Sequence, residues 1–324
     1  MARSRRHPAN ETGRAKMARR RRGNPVNGWL IVDKPSGVTS THVVNVVRRI
    51  FDAAKAGHSG TLDPLATGVL PIALGEATKT IPYAMDSSKD YTFDIRWGEE
   101  RDTDDCEGEV TRTSDVRPDQ IGIEAGLTNF VGLIQQVPPR YSAIKIQGQR
   151  AYDLARNDQP VELAARPIKI EAFVLAEIVE PDHATFHVTS GKGAYMRALA
   201  RDLSIAVGTV GHISALRRLR VGPFLQSNAI SLASLEALAH SPAAFEHLLP
   251  LETALDGIPA LPLSGDEANR LRRGQTVPVF RASDRERLGD LREGDFLYAV
   301  LSGVPVAISR IQGGCVCPVR VLNL

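Results

Sequence analysis

The 324-residue sequence predicts an α+β protein built on a mixed, mostly antiparallel sheet, with a small β-barrel at its C-terminal end. Strand-like and helix-like segments follow one another without the regular βαβ rhythm of a parallel sheet. Residues 91–97 alternate between apolar and polar side chains, which is typical of an antiparallel strand with one buried face. After residue 275, short β-like runs separated by Gly and Pro indicate the small barrel.

The first predicted elements lie between residues 28 and 80. A short apolar run at 28–32 predicts a strand that enters a Pro- and Gly-containing turn at 33–37. Thr39 then offers an N-cap for an amphipathic helix that ends at about Asp52. Four glycines and two prolines between residues 56 and 80 indicate loop, short strand and loop rather than one regular element.

The later elements follow from the same periodicities. Further strands are predicted at 141–147, 168–179 and 183–189, and helices at 117–127, 149–156, 194–207 and 230–239. Towards the C-terminus we expect a short helix at 265–274 and strands at 276–280, 296–301, 304–311 and 316–322. The helical pattern fades into Pro-containing sequence near 248–262. We therefore expect a main domain at 25–250 and a small barrel domain at 251–324.

Charge is distributed unevenly along the chain. Residues 1–24 carry nine basic side chains and one acid, so the rest of the chain is net acidic although the formal net charge is +3. Such a segment cannot bury apolar surface, and we expect a disordered arm. Composition leaves two interpretations equally open: a solvated tail without a role, or an arm that attracts nucleic-acid phosphates.

Composition also limits the cellular setting. The sequence has no apolar run of about 18 residues, which excludes a membrane-spanning helix. Its three cysteines, Cys106, Cys315 and Cys317, are too few for a disulfide framework, and the pair at 315 and 317 lacks the partners of a zinc site. We expect a cytoplasmic protein.

Common binding motifs are absent or incomplete. No glycine-rich phosphate loop surrounds Lys192. The acidic run at 102–108 begins like a calcium loop, but Glu107 stands where that loop needs Gly. A solvated acidic turn is the favoured interpretation. His183 and His187 fall in a predicted strand and are interpreted as ordinary strand residues. We therefore expect neither a metal site nor a cofactor site.

One carboxylate stands out in the segment 57–70. Asp63 lies between apolar neighbours, before Pro64, in a glycine-rich loop where backbone can approach a ligand closely. It could be a rigidly held catalytic acid, or an Asp that hydrogen-bonds its own turn. Residue chemistry alone favours the second interpretation.

Five motifs in order along residues 28–245 resemble the bacterial TruB family of tRNA pseudouridine synthases, which act on uridine 55 of the TΨC loop. The motifs are Asp33-Lys34-Pro35-x-Gly37-x-Thr39-Ser40, Gly57-His58-x-Gly60-Thr61-Leu62-Asp63-Pro64-Leu65-Ala66-Thr67-Gly68, Pro138-Pro139-x-Tyr141-Ser142-Ala143-x-Lys145, Ser190-Gly191-x-Gly193-x-Tyr195-x-Arg197 and Leu216-Arg217-Arg218. The resemblance implies the pseudouridine synthase fold, followed by an RNA-binding barrel of the PUA type. It also implies an isomerisation that needs no cofactor.

The resemblance implies roles for particular residues. Asp63 is the catalytic carboxylate, Arg197 is its charge partner, and Tyr91 packs against the target base and moves a proton. The implied substrate-binding residues are His58, Tyr195 and Leu216. The basic residues expected to hold the RNA backbone are Lys145, Arg150, Arg217 and Arg218.

The implied partner is tRNA, whose target base must be flipped out of its stack. We expect a monomer without an obligate protein partner. The main alternative is a tRNA-binding or tRNA-folding protein in which catalysis is secondary. A guide-RNA-dependent synthase is less favoured, and a glycoside hydrolase would need two catalytic carboxylates, of which we identify only one.

Overall fold

The computed structural model describes residues 23–142, 145–146, 149–150, 163–239, 241–279 and 282–324. The strands are β1 (Gly28–Lys34), β2 (Ala56–His58), β3 (Thr67–Leu74), β4 (Lys89–Trp97), β5 (Glu99–Arg101), β6 (Val110–Thr113), β7 (Gly132–Gln136), β8 (Lys145–Ile146), β9 (Gln149–Arg150), β10 (Arg166–Glu180), β11 (His183–Ser190), β12 (Gly211–Val221), β13 (Phe224–Leu225), β14 (Ile230–Ser231), β15 (Ala260–Pro262), β16 (Val277–Pro278), β17 (Phe296–Leu301), β18 (Val304–Gln312) and β19 (Cys315–Val321). The α-helices are α1 (Ser40–Ile50), α2 (Ile81–Asp86), α3 (Gln120–Leu127), α4 (Met196–Ala206), α5 (Leu232–Ala237), α6 (Gly265–Arg272) and α7 (Ala282–Leu288).

A ten-stranded sheet forms the main body, with the order β14-β1-β3-β12-β4-β11-β10-β7 and with β2 and β13 attached to β3 and β12. The pairs β1–β14 and β3–β12 are parallel, and the other pairs in this sheet are antiparallel. The predicted mixed, mostly antiparallel sheet is therefore confirmed. Helix α4 packs on β12, and α1 packs on β2 and β3. These two helices flank the centre of the sheet.

Helix α1 shows how the sequence sets a local element. The Thr39 side chain caps its first turn by accepting a hydrogen bond from the His42 N–H at 3.1 Å. The apolar residues at helical spacing are buried on one face: Val43, Val46, Val47 and Ile50. The predicted helix is confirmed and ends two residues earlier than expected. Asp52 beyond it has a left-handed backbone, with φ of 42°.

Two central strands differ from the prediction: β12 was not predicted, and β3 is longer than predicted. β3 is eight residues long and lies between β1 and β12, where we expected only a short strand between loops. Pro71 is tolerated there because it falls between the residues that pair with β12 and those that pair with β2. No strand was predicted for β12, since its basic residues mask the alternation. Burial on both faces of β3 removes the period-2 signal that predicts strands.

The segment around residue 145 departs from the prediction. Instead of one strand at 141–147 and a helix from 149, β8 and β9 pair as a two-stranded antiparallel ladder. The helix prediction is wrong for Gln149 and Arg150, and its remaining residues, 151–156, lie outside the described residues. The predicted arm also lies outside them, apart from Gly23 and Asn24. Asn24 exchanges backbone hydrogen bonds with residues 52 and 54.

The C-terminal part forms a second sheet of five strands in the order β15-β17-β18-β19-β16. Helix α6 packs on this sheet and begins with a capping box between Ser264 and Glu267. In the described part of the chain the end strands β15 and β16 do not pair with each other, so the sheet is a curled half-barrel rather than a closed barrel. This agrees with a small PUA-like domain.

The two sheets share an apolar cluster. Ile308 and Leu322 from the second sheet pack with Trp29 and Val69 from the first. Within the described residues, no helix combines the length and the apolar character that crossing a membrane requires.

Candidate active site

The loop that carries Asp63 is fixed on both sides of that residue. Ser40 Oγ accepts a hydrogen bond from the Leu62 N–H at 2.9 Å and lies 3.0 Å from the Leu62 carbonyl oxygen, to which it donates. The Pro64 carbonyl accepts hydrogen bonds from Lys34 Nζ at 3.1 Å and from the Gly37 N–H at 2.8 Å. The backbone of Asp63 is therefore held at its two neighbours, which is the preorganisation that a catalytic group requires.

Lys34 is fully buried beneath this loop. Its ammonium group also donates to the carbonyls of Pro35 at 2.9 Å and Val38 at 2.7 Å. Burial lowers the pKa of Lys34 to about 8, and the nearby charge of Asp63 opposes that shift.

Arg218 holds the other end of the loop from inside the protein. Its guanidinium donates to the Gly60 carbonyl at 3.0 Å and to the Val69 carbonyl at 2.8 Å, and only 1% of the residue is exposed. Our expectation that Arg218 holds the RNA backbone is therefore wrong, because the residue is buried and its Nε and Nη2 donate to backbone carbonyls within the core. Gly68 permits this packing: its φ is 98°, and a Cβ there would lie 2.2 Å from the Arg218 carbonyl oxygen.

Arg217, the neighbour of Arg218 on β12, points the other way. Its side chain is about one-third exposed and pairs with Asp33 at 2.8 Å. The side chains of Lys145 and Arg150 lie outside the described residues, so their proposed RNA contacts stay predictions.

Asp63 and Arg197 form an ion pair at the centre of the site. Arg197 Nε lies 3.0 Å from Asp63 Oδ2. The Arg197 side chain is 5% exposed, whereas that of Asp63 is 35% exposed. The carboxylate can therefore reach a ligand while its charge partner stays in the protein.

The guanidinium of Arg197 is oriented by three further groups. It donates to the Thr103 carbonyl at 2.7 Å and to the Tyr141 carbonyl at 2.9 Å, and its Nη1 lies 3.6 Å from Asp105 Oδ2. Arg197 is thus fixed by two backbone segments and a buried carboxylate. This geometry leaves its Nε directed at Asp63.

The acidic run at 102–108 is not the solvated turn that we expected. Asp104 and Asp105 are 7% and 3% exposed. Both face arginines of α4: Asp105 faces Arg197, and Asp104 pairs with Arg201 at 2.9 Å. Sequence alone gives no sign of these partners because each lies more than 90 positions away in the chain.

A cavity of about 700 Å³ opens in front of Asp63. Its lining includes five of the six predicted site residues, namely Asp63, Tyr91, Tyr195, Arg197 and Leu216. A cavity of this size accommodates a single nucleotide.

The side chains of Tyr91 and Tyr195 occupy different walls of the cavity. Tyr91 lies on β4 directly opposite Arg218 of β12, and both residues line the cavity. Tyr195 precedes α4, and its backbone exchanges two hydrogen bonds with the Gln136 side chain at 2.9 and 3.1 Å. The Arg166 guanidinium lies 5.8 Å from the centre of the Tyr195 ring. Leu216 adds an apolar surface that is 8% exposed.

His58 lies apart from these five residues. It ends β2, pairs in register with Ile72, and is not among the described residues that line the cavity. Its Nδ1 is buried and has no hydrogen-bond partner among the described residues. Burial, together with the charge of Arg218, holds the pKa of His58 below its usual value. The imidazole is therefore neutral near pH 7.

Two features of the cavity wall were not predicted from the sequence. Lys89 is buried in the lining and donates to the carbonyls of Met85 and Ser87, and burial lowers its pKa to about 8. Alternation along β4 could have found it, since Lys89 shares a face with Tyr91 and Phe93. The second feature is an exposed ion pair between Asp86 and Lys192, 2.8 Å apart, in the lining of the cavity.

Taken together, the site can place one carboxylate, held by a buried arginine, against a ligand between aromatic and apolar walls. Such a carboxylate can attack an electrophilic carbon or stabilise positive charge that develops on a ligand.

Two family models match the chain. Residues 48–196 match the TruB family pseudouridylate synthase N-terminal domain, and residues 197–256 match the tRNA pseudouridylate synthase B C-terminal domain. Together they cover more than half of the chain. The boundary between them falls within α4, so the residues of the site come from both matches.

Similar proteins span nearly the whole chain. A tRNA pseudouridine synthase B of Rhodospirillum rubrum is 56% identical over 95% of this chain and all of its own length. One from Bradyrhizobium diazoefficiens is 51% identical over 94% of this chain and 88% of its own length. Among solved structures, a chain in a crystal structure of a Cbf5-Nop10-Gar1 complex is similar, with 25% identity and a TM-score of 0.68, covering 91% of this chain and 84% of that one.

Proposed function

The chain belongs to the TruB family of pseudouridine synthases, and from that premise we propose that it converts uridine 55 in the TΨC loop of tRNA to pseudouridine, with Asp63 as the catalytic carboxylate. The observation that carries the assignment of Asp63 is its ion pair with Arg197 at 3.0 Å, at the edge of a nucleotide-sized cavity.

The chemistry requires a carboxylate in its ionised form. The glycosidic bond between N1 of the base and C1′ of the ribose breaks, the base rotates, and C5 joins C1′. The proton on C5 leaves and N1 gains a proton, so nothing is oxidised or reduced. Cleavage builds positive charge on the sugar, which Asp63 captures covalently or stabilises electrostatically. The buried guanidinium of Arg197 lies 3.0 Å from that carboxylate and holds it by a charge-assisted hydrogen bond.

The walls of the cavity suit a base that has left its stack. A nucleotide in folded RNA is inaccessible until it is flipped out, and aromatic and apolar side chains then replace the stacking of its former neighbours. Tyr91, Tyr195 and Leu216 offer such surfaces around Asp63. In this proposal Tyr91 packs against the base and moves a proton. In the same proposal His58, two residues before Gly60, contacts the TΨC loop of the RNA after the target base has left its stack and that RNA loop has rearranged.

The proposal includes the setting of the enzyme. We propose that it acts on tRNA in the cytoplasm as a single chain without an obligate protein partner. In this arrangement residues 25–250 catalyse the reaction, and the half-barrel domain at 251–324 holds RNA. The basic arm at 1–24 adds electrostatic attraction for phosphates.

Incubation with an unmodified tRNA transcript, followed by mapping of pseudouridine at each uridine, tests the proposal. We expect conversion at uridine 55 and none with Asp63→Asn, which keeps the shape of the side chain and removes its charge. Asp115→Asn, at an exposed aspartate outside the cavity, is the matched control and should retain activity. Wild-type protein that binds the transcript but modifies no uridine would contradict the proposal. That result would favour a tRNA-binding or tRNA-folding protein.

A further inference from the structure

Helix α4 carries a second arginine one turn after Arg197. Arg201 lies on the same face, since residues four apart in a helix are neighbours. Its Nη1 lies 2.9 Å from Asp104 Oδ2, its Nη2 donates to the Val137 carbonyl at 2.8 Å, and its Nε lies 2.9 Å from Asp202 Oδ1. Every part of the Arg201 guanidinium therefore has a partner.

The two arginines hold the same two segments. Arg197 donates to the carbonyls of Thr103 and Tyr141, while Arg201 contacts Asp104 and Val137. Each segment is thus tied to α4 at two points. The segment at 137–142 continues into the cavity lining through Ser142.

Asp104 is held in an unusual conformation. It has a φ of 60°, is 7% exposed, and uses both backbone groups in hydrogen bonds: its N–H donates to Arg101 O at 3.0 Å, and its carbonyl accepts from Ile213 N at 3.1 Å. Asp and Asn adopt such a backbone more readily than other non-glycine residues. The loop geometry therefore fixes where this carboxylate points.

The ionised form of Asp104 costs stability. Burial raises its pKa to about 6, although Arg201 and Arg197 oppose the shift. Because this pKa is above the ordinary value, the folded state binds more protons than the unfolded state between about pH 4 and 6. Stability from this group therefore falls as the pH rises through that range. A buried charge kept at such a cost points to a use in function rather than in folding.

We propose that the Arg201–Asp104 ion pair is a positioning device for catalysis: it fixes the Thr103 and Tyr141 carbonyls, which orient the Arg197 guanidinium towards Asp63. Among the residues described, neither Arg201 nor Asp104 lines the cavity, so the pair acts through Arg197. The inference rests on the proposed function, because its effect is measured on the uridine reaction.

The charged groups around Asp104 are few. From α4, Arg197, Arg201 and Asp202 act on it, and Asp105 is its neighbour on the loop. On β12, His212 Nδ1 is hydrogen-bonded to the Glu99 carbonyl oxygen, 2.8 Å away. On β5, the Arg101 guanidinium donates hydrogen bonds to the Gly108 carbonyl and to the Glu99 carboxylate. The titration of Asp104 is therefore set mainly by burial and by the two arginines.

Asp104→Asn is the central test variant, because Asn keeps the backbone conformation and removes the charge. Under single-turnover conditions at pH 7.5, we expect the rate of pseudouridine formation to fall about 10-fold or more, as for other small misplacements of catalytic groups. The Kd for tRNA should stay within about 2-fold, since neither residue is among the described residues that line the cavity. The thermal midpoint should not fall. If the ion pair served only stability, Asp104→Asn would lower the thermal midpoint and leave the single-turnover rate unchanged.

The matched control is Glu267→Gln, which breaks the ion pair with Arg287 in the second sheet domain. The pKa of Glu267 is lowered to about 2, mainly by its hydrogen bond with Arg287, so this variant should lose thermal stability. Its single-turnover rate at saturating enzyme should remain that of the wild type.

The pH profile separates positioning from folding. As the pH falls through about 6, Asp104 gains its proton in the wild type, so the ratio of wild-type rate to Asp104→Asn rate should fall towards 1. Arg201→Lys keeps the charge but cannot contact Asp104 and Val137 together, so it should recover part of the activity that Arg201→Gln loses. In an Arg197→Lys background, Asp104→Asn should slow the reaction less than about 3-fold. Both substitutions disturb the same contact, that of residue 197 with Asp63, so their effects should not add.

The possible results separate the positioning role from the proposed function. Wild-type protein that makes no pseudouridine overturns the proposed function and the positioning role with it. Active wild-type protein with an equally active Asp104→Asn variant overturns the positioning role alone. A constant rate ratio from pH 5 to 8, or full additivity with Arg197→Lys, also overturns it.

Discussion

Arg197 Nε lies 3.0 Å from Asp63 Oδ2, although the two residues are 134 positions apart in the chain. The arginine is buried and anchored to two backbone carbonyls, and the carboxylate faces the cavity. Because two further hydrogen bonds anchor the arginine, the ion pair helps to hold the carboxylate in place. The site is therefore organised around the first turn of α4 as much as around the Asp63 loop.

Replacement of Arg197 by Lys should test this organisation. Lysine keeps the charge but cannot donate at once to Asp63, Thr103 O and Tyr141 O, so we expect the single-turnover rate to fall about 100-fold, the usual effect of losing one preorganised donor. Arg112→Lys, at an exposed ion pair with Glu100, is the control and should react at the wild-type rate. Equal rates for both variants would show that the charge alone suffices.

The Ser40 hydroxyl should matter for both stability and rate. Ser40→Ala leaves the buried Leu62 N–H and carbonyl without their partner, which should lower the free energy of unfolding by about 1–3 kcal/mol. A looser loop should also slow the reaction. Chemical denaturation and single-turnover assays measure the two effects. Ser227→Ala, at an exposed serine, should change neither, and a Ser40→Ala variant of unchanged stability and rate would contradict the role of the hydroxyl.

Much of the site was predictable, and the rest has identifiable causes. Asp63 and Arg197 belong to the motifs that carry the family resemblance, and the structure places them in one cavity with Tyr91, which the resemblance also implied. Their catalytic roles stay predictions. The partners of the acidic run could not be predicted, because an Asp that pairs with an arginine 97 positions away can have the same local sequence as a solvated one.

In the fold, too, elements set by neighbouring residues were predictable, and elements set by distant partners were not. Helix α1 was predicted because its cap and its apolar spacing lie within a dozen residues. β3 was predicted only as a short strand and β12 was not predicted, because a strand buried on both faces, or one rich in arginine, lacks the alternation that predicts strands. Arg218 was predicted to hold the RNA backbone, because its buried carbonyl partners belong to another strand and another loop and cannot be recognised from the sequence around Arg218.

Lys89 should give a distinctive pH dependence of stability. Its pKa in the folded state is about 8, below the ordinary 10.5, so between these values the unfolded state binds more protons and stability from this group rises with pH. Relative to Lys89→Met, the wild type should gain about 2 kcal/mol between pH 7.5 and 10. Denaturant titrations at each pH measure this. Lys192→Met, at an exposed lysine, should show no such trend relative to wild type, and a flat difference for Lys89→Met would contradict the shifted pKa.

Deletion of residues 2–22 tests the basic arm. The deletion stops before Gly23 because Asn24 is hydrogen-bonded to residues 52 and 54. If the arm binds phosphates, the slope of log K against log salt should become shallower by roughly 0.7–0.9 for each phosphate that the shortened protein no longer neutralises. The modified position should stay the same, since phosphate contacts do not specify sequence. A full-length variant with every basic residue of the arm changed to Gln should behave like the deletion. An unchanged slope in both would contradict an RNA-binding arm.

Asp86 and Lys192 form an exposed ion pair, and substitutions of these two residues should change RNA affinity in opposite directions. Both side chains are more than 60% exposed in the cavity lining, where incoming RNA brings phosphates, so Asp86 competes with RNA for the Lys192 ammonium. An exposed pair contributes only about 0–1 kcal/mol, so it can be exchanged for a phosphate at small cost. We therefore expect Asp86→Asn to tighten binding a few-fold and Lys192→Gln to weaken it, with a salt slope shallower by about 1 for Lys192→Gln.

The matched control for this pair is Glu100 with Arg112, a second exposed ion pair that does not line the cavity among the described residues. Glu100→Gln and Arg112→Gln change net charge by the same amounts as the two test variants. If RNA affinity depends only on net charge, the two sets of variants will shift the Kd equally. A larger effect at Asp86 and Lys192, with the slope change confined to Lys192→Gln, would place a phosphate contact at the cavity mouth, because only a direct contact releases a counterion.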